Sequence, residues 1–192
     1  MEHDKQDERG EVLLPIARAA ISHALKVVYS ADESASWLKE HGACFVTLTQ
    51  HGQLRGCIGS LQARQPLLAD VKDNAVAAAL HDPRFSPLTA RELDVTDIEI
   101  SLLSATEPMA IRDEQDALAQ LRPHIDGIVL EAGYHRATFL PQVWEQLPEP
   151  RTFMAHLKHK AGLPASFWSS DVKLSRYTVT KWREQDLARS TL

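Results

Sequence analysis

Cysteine is scarce in this chain of 192 residues: there are two, Cys44 and Cys57. A secreted disulfide scaffold would need more, at fold-defining spacings. No Cys-x-x-Cys pair is present, which argues against a thiolate metal site or a dithiol motif. Long apolar runs are also missing, and none approaches the ~20 residues of a membrane span. The N-terminal MEHDKQDERGE is dense in charge with no apolar core, so it does not read as a signal peptide. Basic stretches are absent and the net charge is -5. Since non-specific nucleic-acid affinity comes mainly from Lys and Arg, this argues against a phosphate-backbone binder. There is no phosphate-cradling glycine loop, dinucleotide fingerprint or Gly-x-Ser-x-Gly elbow. The expectation is a cytoplasmic protein with reduced thiols, no cofactor, no metal and no membrane segment.

The composition, 44% hydrophobic and 24% charged, is that of a globular protein of one domain or one domain with two lobes. Residues 1–11 read as a frayed tail. From Val12 to about Val28, apolar residues at Leu13, Ile16, Ala17, Ala20, Ile21, Ala24, Leu25 and Val28 give a helical stripe, with Pro15 tolerable in the first turn. A short helix is expected over Ser34–His41. The period then becomes two: Cys44–Gln50 and Leu54–Ser60 read as a hairpin turning at Gly52. Pro66 opens a helix with Leu67, Leu68, Val71, Ala75, Ala78 and Ala79 as its buried stripe, ended by Asp82-Pro83. Thr89 and Glu92 have capping-box spacing. Val95–Leu103 alternates as a strand. Asp113 caps a further helix, and Asp126–Glu131 with Arg136–Leu140 form a second hairpin at Gly133. Thr152–Ala161 reads as a helix and Val172–Val179 as a closing strand. Hairpins mixed with helices, without regular βαβ alternation, point to α+β: an antiparallel sheet with flanking helices.

The most informative segment is LRGCIGS. Strand parity puts Leu54, Gly56 and Ile58 on one face and Arg55, Cys57 and Gly59 on the other. Glycine inside a strand marks a bulge or a close approach, so two glycines around a cysteine ask for an explanation. If Val95–Leu103 shares the sheet with its apolar face aligned, Arg55, Cys57, Glu99 and Ser101 fall on one side. Each has a bland counterpart: a buried cysteine, the solvated half of a strand, a helix-end cation at Arg84, and a solvent-facing Asn74. His156 and His159 have i,i+3 spacing but lack the metalloprotease pattern. Beside Lys158 and Lys160 they read as solvent-facing.

LRGCIGSL, DPRFSPLT, IEISLLS, DGIVLE, ATFLPQVWEQLP and HKAGLPASFW together resemble the AMMECR domain family, whose microbial members are called AmmeMemoRadiSam system protein A. Order and spacing agree over 12–184, leaving 185–192 as a C-terminal tail. The resemblance implies an α+β fold with a larger lobe holding both termini and a smaller inserted lobe, and the glycine-cysteine segment near the cleft between lobes. It also implies association with a Memo-like protein and a radical SAM protein, with no assigned activity. Its matching positions are Arg55, Gly56, Cys57, Gly59, Asp82, Arg84, Phe85, Glu99, Ser101, Gly127, Leu140, Pro141 and Trp144. Asn74 stands where the family often has an aromatic residue, and His81 where serine is common.

Two functions compete. In an enzyme, Cys57 is the nucleophile, Arg55 or Arg84 supplies positive charge, and Glu99 or His81 serves as acid or base. Gly56, Gly59, Asn74 and Ser101 then complete a site for a small anionic ligand. In a non-catalytic partner protein the same cleft binds or hands on a small acid without a reactive thiol. Nucleic-acid binding is the weakest reading, given the acidic balance.

Overall fold

The computed structural model describes residues 2–190. In chain order its elements are α1 (Glu2–Ala24), β1 (His41–Gly42), β2 (Cys44–Gln50), β3 (Gln53–Gly59), β4 (Gln65–Pro66), α2 (Leu67–Leu80), β5 (Thr96–Leu103), β6 (Glu107–Pro108) and α3 (Glu114–Gln120). There follow β7 (Gly127–Ala132), β8 (His135–Phe139), α4 (Pro150–Lys160), β9 (Lys173–Tyr177), β10 (Val179–Arg183) and α5 (Glu184–Ser190). Tight 3-10 turns occupy Ser36–Lys39, Ala90–Val95 and Pro141–Glu145. This is the α+β class that the mixed hairpins and helices suggest. The chain forms two units: the segment through Leu103 joined by the segment from Thr180, and an inserted unit, Ser104–Val179.

In the first unit, four antiparallel strands run in the order β10-β5-β2-β3. β2 and β5 pair Val46 with Ile100 and Leu48 with Ile98, so four aliphatic side chains share one face. All four are fully buried, together with Leu13, Leu14, Ile16, Ala17 and Ile21 of α1 and Val71, Ala75, Ala78 and Ala79 of α2. Burying each of the larger aliphatics stabilises the fold by about 1.5–3 kcal/mol relative to exposure. The alanines of α2 let the helix lie close to β3: a Cβ built on Gly56 would meet the Ala78 carbonyl oxygen at 2.2 Å.

Several boundaries differ from the periodicity. α1 begins at Glu2, not Val12, so Pro15 lies inside the helix and withholds an interior N–H. It ends at Ala24, short of Val28, because Lys26 turns left-handed (φ 61). There the Val27 and Lys26 N–H groups donate to the Ser22 and His23 carbonyls, a Schellman closure, and Val28 is left exposed. The helix expected over Ser34–His41 is one 3-10 turn. The closing strand divides into β9 and β10, which belong to different sheets, and α5 covers part of the expected C-terminal tail.

The inserted unit has the strand order β6-β9-β7-β8. Its core stacks Trp144 on Phe153, with ring centroids 3.7 Å apart. The Trp144 indole N–H donates to the buried Asp126 carbonyl at 2.8 Å. On α4, His156 and His159 are exposed, whereas Lys158 is only 1% exposed. Its ammonium pairs with Glu114, donates to the Ala165 carbonyl at 3.0 Å and lies 5.5 Å from the Trp168 ring centroid. Lysine at that position is therefore no marker of a solvated face.

Candidate functional site

The β2–β3 hairpin turns through His51 and Gly52, both left-handed, as a two-residue loop requires. Counting outward from that loop would set Thr47 opposite Gly56. The observed register sets Thr47 opposite Cys57, because a bulge at Leu48/Thr49 inserts Arg55 as an extra residue. The consequence corrects the parity reading. Leu54 pairs with Thr49 and so joins the Cys57 face, not the face of Gly56 and Ile58. Arg55 is turned aside: its guanidinium pairs with Glu92 at 3.1 Å and lies 6.0 Å from the Phe85 ring centroid, with the side chain 12% exposed. Its charge is already committed. The Thr89 N–H chiefly, with Arg55 adding, holds the Glu92 carboxyl down to about 2 against its burial.

Cys57, Thr47 and Glu99 form one row across β3, β2 and β5 on the face opposite the aliphatic core. Thr47 Oγ1 donates to Cys57 Sγ at 3.2 Å, and the sulfur belongs to a half-buried residue. Glu99 lies two strand spacings from Cys57, about 10 Å. Direct proton exchange between them is beyond reach. The Glu99 carboxylate is instead held by Arg183 at 2.5 Å and Lys181 at 3.9 Å, both on β10. Ser101 lies on the same face, opposite Phe45, and is buried.

Cys57 is anchored by its main chain. Its N–H donates to Asp82 Oδ2 at 2.9 Å, and its carbonyl accepts from Arg84 Nη2 at 3.3 Å. Arg84 is forked onto Asp82, Nε to Oδ1 at 3.0 Å and Nη2 to Oδ2 at 2.7 Å. That guanidinium, with the Cys57 N–H, holds the buried Asp82 carboxyl well below the usual carboxylate range. The Arg84 side chain is 54% exposed, and Nη1 is its one donor group without a partner among the described residues.

Other expected site residues are occupied differently. Asn74 is buried, and its amide N–H group lies 3.1 Å from the Cys44 carbonyl, 3.1 Å from Ser60 Oγ and 3.0 Å from Asp70 Oδ2. It neither faces solvent nor joins Cys57; it ties α2 to the sheet. Gly56 makes room for the backbone of α2, and Gly59 for the Phe45 ring, whose nearest atom is 2.3 Å from the built Cβ. Both glycines are explained by packing. His81 is the exposed C-cap of α2. Thr47 escaped the sequence reading because only the bulge brings it opposite Cys57. Asp82 was visible there as a helix terminator, and its carboxylate role is a long-range contact. In the inserted unit a shallow groove of about 420 Å³ is lined by Ile111, Glu131, Val172, Lys173 and Ser175 among others, and it contains no cysteine.

The AMMECR1 family profile matches residues 14–182. A protein of Methanothermobacter thermautotrophicus is 33% identical over 182 residues, covering 92% of this chain and 95% of its own. One of Methanocaldococcus jannaschii is 33% identical, covering 92% and 90%. The crystal structure of an uncharacterised protein from Pyrococcus horikoshii superposes with a TM-score of 0.75 at 30% identity, covering 93% of this chain and 92% of that one. With a profile and relatives that span nearly its whole length, this chain belongs to the AMMECR1 family.

Proposed function

We propose that the face around Cys57 binds a small anionic ligand, with the Cys57 sulfur at its centre. The observation that carries this is the pairing of a half-buried sulfur, already accepting a hydrogen bond from Thr47, with a guanidinium that retains an open donor group at Arg84. Arg84 is the anion contact in this reading, because Arg55 is spent on Glu92. The Asp82 partner tempers its charge, so recognition rests on the directed Nη1 donors and the sulfur more than on net positive potential. In a covalent version the Cys57 thiol gives its proton to solvent, the thiolate adds to a carbonyl carbon of the ligand, and the carbonyl π pair moves to its oxygen, which takes up a proton, with Thr47 donating to the sulfur before the attack. Glu99 then acts at a distance, by fixing Arg183 and Lys181. The protein works in the cytoplasm, and a Memo-like and a radical SAM partner are what the family resemblance implies.

Thiol labelling tests this. In the native protein one thiol per chain, Cys57, reacts with iodoacetamide near neutral pH, and Cys44 reacts only after unfolding. Inorganic phosphate or small carboxylates slow the labelling of Cys57, and Arg84→Ala abolishes that protection. A native chain in which neither thiol reacts without denaturant overturns the reading.

A non-catalytic partner protein is the second reading. It is favoured by the distance of Glu99 from the sulfur, which takes that carboxylate out of contact with Cys57. Cys57→Ser would then leave ligand binding and co-purification with partners intact.

A further inference from the structure

β3 ends its sheet, so among the described residues one of its sides meets no other strand. Exposed edges invite pairing with another chain, and proteins guard them with proline, lysine or a covering segment. The sequence of β3, QLRGCIG, contains no proline and no lysine, and its single charge, Arg55, is turned onto Glu92. The Ser60 N–H donates to the Cys44 carbonyl, which fixes the ladder phase. In an antiparallel ladder the main-chain groups of Gly59 and Cys57, out of phase with Ser60, therefore point away from β2. Those of Cys57 are occupied: Asp82 accepts its N–H and Arg84 donates to its carbonyl. An acceptor and a donor held side by side are what a neighbouring strand would present.

We propose that the Asp82–Arg84 pair stands in for a fifth strand and keeps β3 from pairing with β3 of a second copy of this chain. A second copy is the occupant because like edges pair antiparallel about a two-fold axis, the simplest closed assembly. The pair is built to persist. Asp82 is 4% exposed and its two oxygens take the Arg84 fork as well as the Cys57 N–H, so the lock is preassembled. The proposal stands apart from any chemistry at Cys57, and a failure of thiol labelling would leave it untouched.

The test is the double substitution Asp82→Ala with Arg84→Ala, which removes both charges together and leaves neither unpaired. Sedimentation equilibrium across a concentration series should show self-association strengthened by about tenfold or more over the native chain. Amide exchange of the associated form should show the Gly59 N–H gaining protection. A double variant that melts cooperatively yet sediments as the native chain does overturns the proposal, as does association without protection at Gly59. If the double variant does not fold, exchange in the native chain decides. The Cys57 amide should then exchange at least about tenfold more slowly than the Gly59 amide after correction for intrinsic rates. Equal rates overturn it.

Discussion

Cys44 and Cys57 occupy the two strands of one hairpin, and each has its main-chain N–H fastened to an aspartate at 2.9 Å. Asp70, in the first turn of α2, holds Cys44; Asp82, just past the end of α2, holds Cys57. The devices match, yet the thiols differ. Cys44 is fully buried, and burial, with the Asp70 charge beside it, pushes its thiol above the usual range. Cys57 is half-buried and its sulfur accepts a hydroxyl hydrogen bond from Thr47. Fastening the backbone therefore does not set how far a thiol is buried. What lies on the side-chain face decides, and the hairpin puts the two sulfurs on opposite faces.

Breaking the buried half of this comparison should cost most. Asp70 accepts from the Cys44 N–H, the Ser60 hydroxyl and the Asn74 amide, so Asp70→Ala strands several buried polar groups. A loss of about 3 kcal/mol is expected in urea unfolding. Gly56→Ala comes next, at about 2 kcal/mol, because the new methyl would press on backbone at Ala78. Gly59→Ala should cost about as much, since its methyl would meet not only the Phe45 ring but the Phe45 Cα at 2.7 Å, which no ring rotation relieves. On the open half, Thr47→Val should slow iodoacetamide labelling of Cys57 by about tenfold, the value of a hydrogen bond to a charged sulfur, while labelling of unfolded protein is unchanged. The effect at the bulge depends on pH. Glu92 titrates at about 2 in the folded protein against 4.5 free, so its contribution is complete above about 4.5 and is lost as pH falls through about 2. Glu92→Gln should thus lower stability at neutral pH and converge with the native chain in acid.

Much of the fold was legible because local chemistry and tertiary packing agree. The β2–β3 hairpin, the alanine-rich stripe of α2, the Thr89–Glu92 capping box and the Asp113 cap all lie where their residues point. Failures came where distant contacts decide. The first turns of α1 have no apolar stripe of their own, yet Gly10 is buried. One alternating run, Val172–Val179, feeds two sheets, a division that alternation cannot encode. At the candidate site, parity placed Cys57, Glu99 and Ser101 on a common face, and the bulge at Arg55 removed the arginine from it. A bulge leaves only a glycine as its sequence trace, and here that glycine also answers to α2. Nothing local to DPRF shows that Asp82 and Arg84 reach the main chain of Cys57.

The seat of Trp182 has a consequence for synthesis. A Cβ on Gly10 would lie 2.5 Å from the indole ring, so the first helix is shaped around a residue translated some 170 positions later. The inserted unit, by contrast, is one uninterrupted stretch. On the ribosome the middle of the polypeptide can mature while the earliest-made helix still waits for its last packing partner, the reverse of the usual N-to-C order.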